Sequence, residues 1–128
     1  MSIRVPISVG ELLDKLTILR IKSERISDPD KLSNVQRELE TLETTWTESP
    51  FSGHDLGAEL EQLRRVNETL WDIEDQIRLK EARLEFDQEF IELARSVYLT
   101  NDERAAVARH INLKVGSDLV GEKSYTEY

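Results

Sequence analysis

Between Asp55 and Leu84 the chain reads DLGAELEQLRRVNETLWDIEDQIRLKEARL. Leu56, Leu60, Leu63, Leu70, Ile77 and Leu84 stand on a heptad frame with Val66 and Ile73 beside it, the period of a long helix laid lengthwise on partners. No proline interrupts it. A strand pattern would alternate every second residue, and nothing here does, so this stretch sets the class as all-α with no β-sheet.

Upstream, Ser8 and Glu11 have the Ser-x-x-Glu spacing of a capping box, in which each side chain satisfies an orphan N–H of the first helical turn. Ile7 and Leu12 are placed for a hydrophobic staple across that cap. Val9, Leu12, Leu13, Leu16, Leu19 and Ile26 continue one apolar stripe, and Ile18 and Ile21 widen it toward a second neighbour. Asp28-Pro29 ends this helix and starts the next, Asp as N-cap and Pro where its missing N–H has no partner to lose. Leu32, Val35, Leu39, Leu42 and Trp46 then recur at steps of three and four, so the first two helices are expected to form an antiparallel hairpin. Ser49-Pro50 and Ser52-Gly53 mark a loop before the long third helix.

Downstream, the apolar register shifts near Glu85 to Phe86, Phe90, Leu93 or Ala94, and Val97, so the helix bends or restarts there. Thr100 and Glu103 repeat the capping-box spacing. With Ala105, Ala108, Ile111 and Val115 they predict a last helix stopped by Gly116. The expectation is an antiparallel bundle of about five helices built on the first hairpin and the long third helix, a single domain over 1–116. A tail follows over 117–128. Its two tyrosines and apolar pair are unlike a purely solvating segment, which leaves docking on the bundle, docking on a partner chain, or disorder.

The 128 residues suit one domain with a real core and need no disulfide or metal to hold it. There is no cysteine, which excludes thiolate catalysis, Cys-based zinc sites and iron–sulfur clusters. A formal charge of −9 repels phosphate backbones and anionic lipid, so neither nucleic acid nor a membrane is an expected partner. No apolar run approaches a membrane span or a signal peptide, and the chain reads as cytoplasmic.

Polar residues interrupt the third helix's seam: Asn67, Glu74 and Glu81 hold heptad positions, with Trp71 and Arg78 on the same flank. Asp14, Lys15 and Lys22 flank the apolar stripe of the first helix, and the Lys15 to Lys22 separation equals that from Glu74 to Glu81. Three readings follow. The matched charges form interhelical ion pairs that fix register; or they line a pocket in which Lys15, Lys22 and Arg78 hold an anion beside an acid or base, Glu74; or the stripe is solvated. Glu11 with Asp14, Glu40 with Glu43, and Asp72 with Asp75 are carboxylate pairs of the kind a magnesium-dependent phosphohydrolase gathers, but they fall on separate helices, and no metal or cofactor is expected. His54 and His110 lack the Glu-x-x-His spacing of di-iron bundles and read as surface residues. Trp46 and Trp71 read as packing residues rather than stacking platforms.

The run Ile7-Ser8-Val9-Gly10-Glu11-Leu12-Leu13-Asp14-Lys15-Leu16-Thr17-Ile18-Leu19 with Lys22, and Leu70-Trp71 with Glu74-Asp75, resembles a group of short helical bacterial and phage proteins known only as a domain of unknown function. Phe90 to Tyr98, Asn101 to Ala105, Ile111-Asn112 and Glu122 to Tyr125 are similar to the same group, so the likeness spans nearly the whole chain. It implies no catalytic residue. Occurrence of such sequences beside glycosyltransferase and surface-polysaccharide proteins implies an accessory place in glycan assembly. A fainter likeness, around Leu13-Asp14-Lys15-Leu16, is to helical chorismate mutases; Arg20, Lys22 and Arg25 are the basic candidates, without the full set such enzymes place around a dianion. The leading expectation is a non-enzymatic interaction module, homodimeric because the long third helix offers more seam than one hairpin covers. The alternative is a small-molecule enzyme or binder using the stripe between helices one and three.

Overall fold

The computed structural model describes residues 1–128 and contains four helices and no strand: α1 (Val9–Arg25), α2 (Pro29–Glu48), α3 (Gly57–Ala82) and α4 (Gln88–Val115). The helix starts follow from local chemistry. Ser8 Oγ accepts the Glu11 N–H at 3.1 Å, and Asp28 Oδ1 accepts from Asp30 and Lys31 ahead of α2. Gly116, in the left-handed region at φ 71, closes α4.

The helix count corrects the expectation of about five. The chain does restart near Glu85: α3 ends at Ala82, Leu84 turns through φ 55, and Asp87 caps α4 by accepting the Phe90 N–H at 3.0 Å. The second expected break, at Thr100, is absent. Thr100 lies buried in the middle of α4. A Thr-x-x-Glu spacing caps a helix only where the preceding backbone leaves it, and here packing carries the helix straight through.

Leu13 and Leu16 of α1, Leu63 of α3 and Ile111 of α4 form the closed centre of the core. Each side chain contributes roughly 1.5–3 kcal/mol through burial. α1 touches all three other helices, whereas α2 packs on α1 alone and has no fully buried residue. Leu39, Leu42 and Trp46 lean on the core from outside. α3 and α4 run antiparallel: Lys114 at the end of α4 meets Glu59 at the start of α3, and Lys80 near the end of α3 meets Asp87 and Glu89 beside the start of α4.

Beyond Ile73 on α3, and before Thr100 on α4, no residue is fully buried. These segments form a two-helix arm extending roughly 14–18 Å past the core, at 1.5 Å of rise per residue. No helix is long and apolar enough to cross a membrane.

Candidate functional site

The polar interruption of α3 finds its partners in α1 and α4. Asn67 Nδ2 donates to Asp14 Oδ1 at 2.9 Å and lies 3.0 Å from Thr17 Oγ1, all three residues being buried. The Thr17 hydroxyl donates to the Asp14 carbonyl at 2.7 Å. The second Asp14 oxygen receives Arg104 Nε at 3.0 Å. Both carboxylate oxygens are thereby engaged, one by a neutral amide and one by a guanidinium, so neither is left buried without a partner.

Asp14 and Arg104 also form the inner wall of a groove of about 190 Å³ between the start of α1, the last turns of α4 and the tail. Asn112 accepts the Gly10 N–H at 2.6 Å, joining α4 to the first turn of α1. Arg109 holds the tail at its rim through Glu122 and, at 3.4 Å, the Gly121 carbonyl. Four stretches that carry the resemblance, 7–19, 101–105, 111–112 and 122–125, contribute to this lining although they lie far apart in sequence.

Of the stripe expected between helices one and three, Asp14 and Asn67 come together and the other residues do not join them. Glu74 pairs within its own helix with Arg78, at 3.1 Å and partly in solvent, rather than with Lys15 or Lys22. Lys15 and Glu81 are exposed and Lys22 is half-buried. One position along a helix turns the side chain by about 100°, so Lys15 points away from the seam that Asp14 enters. The ion pairs between α1 and α3 lie elsewhere: Arg25 reaches Asp72 at 2.8 Å and Glu68 at 3.7 Å, and Glu24 meets Arg64. Trp71 lies half-buried with the Arg25 guanidinium 5.7 Å from its ring centroid. The carboxylate pairs are divided likewise, Asp14 to Arg104, Glu43 to Arg20 and Asp72 to Arg25. No three His, Asp or Glu residues stand together as a metal ligand set.

Sequence reasoning missed Thr17, Arg104, Asn112 and Glu59. Arg104 had a readable signal: it stands seven residues before Ile111, on the apolar face of its helix, where a charge requires a partner. Glu59 is buried at the start of α3, 2.7 Å from Lys114 Nζ and 3.4 Å from His110 Nε2. The Lys114 hydrogen bond, helped by the residue's own backbone N–H, holds its carboxyl below the usual range against the opposing effect of burial.

The arm carries a different chemistry. Ile77, Phe90, Leu93, Ala94 and Val97 along its seam are only half-buried. At its end Leu84 and Phe86 are 73% and 56% exposed, with Ile91 beside them at 48%. Phe86 meets Phe90 edge to face at 5.2 Å. Lys80 gathers Asp87 at 2.9 Å, Glu89 at 3.1 Å and Glu85 at 3.3 Å around the turn, and these carboxylates push its ammonium well above the ordinary lysine range, the Asp87 hydrogen bond foremost.

The model of the family of unknown function DUF6165 matches residues 3–128. No curated protein and no solved structure matches the chain.

Proposed function

The chain belongs to the DUF6165 family, which supplies no activity to carry over, and we propose that it is a non-enzymatic helical interaction module pairing with a second copy of itself through the α3–α4 arm. The observation that supports this is the half-open seam of the arm, from Ile77 across to Phe90, Leu93 and Val97. Two helices bury one stripe against each other and leave their flanks wet. Two such arms, laid together about a twofold axis, close a four-helix bundle with the seam inside.

Two further features favour a second copy as the occupant. The arm exposes Arg78, Arg83 and Arg95 as well as Glu81 and Glu92, so it carries both signs of charge, as a self-complementary contact requires. Leu84 holds a left-handed backbone conformation while largely exposed, at a cost of about 1–2 kcal/mol that burial against a partner would offset. An accessory place in surface-glycan assembly, as the resemblance implies, calls for a docking end of this kind and no active site of its own.

Sedimentation at micromolar concentration tests the reading. The unmodified chain is expected to run as a dimer and the Phe86→Glu, Ile91→Glu double variant as a folded monomer. A strictly monomeric parent chain, or a dimer indifferent to both substitutions, would sink it.

A further inference from the structure

The tail folds back along α4 and forms with it an open groove of about 570 Å³, within the size range of small-molecule sites, its tyrosine rings still in part exposed. Three phenol rings line it: Tyr98 from α4, and Tyr125 and Tyr128 from the tail. Tyr98 and Tyr128 meet with ring centroids 5.3 Å apart and planes inclined by 65°. The Tyr128 hydroxyl donates to Asp102, which fixes that ring and places a carboxylate in the same wall. Lys123 puts its ammonium 6.0 Å from the Tyr125 centroid.

We propose that this groove binds a small organic cation with a methylated ammonium head. The faces of aromatic rings are electron-rich and attract cations, most effectively where water is excluded. The Tyr125 face already meets a cation here, and the Tyr98 and Tyr128 rings and the Asp102 carboxylate line the same groove. The chain's own Lys123 already sits in the arrangement that the ligand head would adopt. A methylated head suits the site better than a bare ammonium. Three aromatic rings in the lining offer contacts for methyl groups, which shed water at less cost than N–H donors. The net charge of −9 further favours a cationic ligand. The site lies on α4 and the tail and does not depend on pairing through the arm.

Choline, titrated into the full-length chain and followed by calorimetry and by the tyrosine ring resonances, is the direct probe. Its uncharged isostere, 3,3-dimethylbutanol, is the control. Saturable binding of choline in the millimolar range is expected, with the isostere weaker by about two- to fivefold, the factor that a cation–π contact at an exposed site confers. Tyr98→Leu keeps the apolar bulk and should lose choline binding by a similar factor with an unchanged melting curve. Equal binding of the two probes would reduce the site to an apolar hollow and overturn the proposal, as would the absence of saturation. Should Tyr98→Leu fail to fold, Lys123→Gln decides: vacating the Tyr125 face should tighten choline binding several-fold, and unchanged or weaker binding overturns the proposal.

Discussion

Gly10 packs directly on the backbone of Ala108, so closely that a β-carbon on Gly10 would stand 2.2 Å from the Ala108 carbonyl oxygen. The same residue donates its N–H to Asn112. The crossing of α1 and α4 is therefore set by a missing side chain and locked by a side-chain amide. Because the obstructing atom belongs to a helix backbone, no side-chain rotation relieves the clash. Gly10→Ala is expected to destabilise the chain by roughly 1–3 kcal/mol. An unchanged urea midpoint would show that the two helices are not in such contact.

Asn67 and Glu74 sit one heptad apart on α3, yet their substitutions should behave differently. Asn67→Ala removes the donor to a buried Asp14 oxygen and is expected to cost about 1–3 kcal/mol. Glu74→Ala breaks only a partly solvated pair within one helix and should stay within about 0.5 kcal/mol of the parent. Equilibrium denaturation of the two variants side by side checks the ranking. The reverse order would place the buried polar contact on the wrong residue.

Glu59 gives the fold an acid-sensitive joint. Its carboxyl is held below the ordinary value of 4.5 by Lys114, so above that value the unfolded chain has no proton left to gain and the stabilisation is complete. As pH falls through 4.5 toward the lower folded value, the unfolded state takes up the proton first and this contribution is lost. Melting temperatures of Glu59→Gln should converge on those of the parent in acid and fall below them at neutral pH. Parallel curves across the whole range would contradict this assignment.

Leu84 turns the arm through φ 55, a region where a β-carbon is strained and glycine is not. Leu84→Gly is expected to raise the stability of the dilute, monomeric chain by about 1 kcal/mol. Thermal melts at submicromolar concentration would read this, and a loss of stability there would mean that the leucine side chain contributes within its own chain.

Much of the secondary structure was legible because capping is a local matter. Ser8 with Glu11, Asp28 with Pro29, and Gly116 act within one turn of where they stand, and the structure puts helix ends at each. Thr100 shows the limit. Its spacing matches a cap, but its burial against neighbouring helices overrides the local signal. The candidate site was half legible. Asn67 stood out as a polar residue in an apolar seam and Asp14 as its flank, but Arg104, ninety residues from Asp14, entered only through the fold.

By itself the sequence determined the helical class, the restart near Glu85 as one of two options, and a polar interruption in the third helix's seam, left open between ion pairs, a pocket and a solvated stripe. The tertiary structure alone decided which partners those are, that α2 lies outside the core against α1, and that the far halves of α3 and α4 stand out as an arm. The division has a physical cause. Helix caps and periodicity depend on residues three or four apart, whereas pairing across a crossing depends on the crossing angle. That angle is set by a contact such as Gly10 on Ala108, between residues that nothing in their local sequence connects.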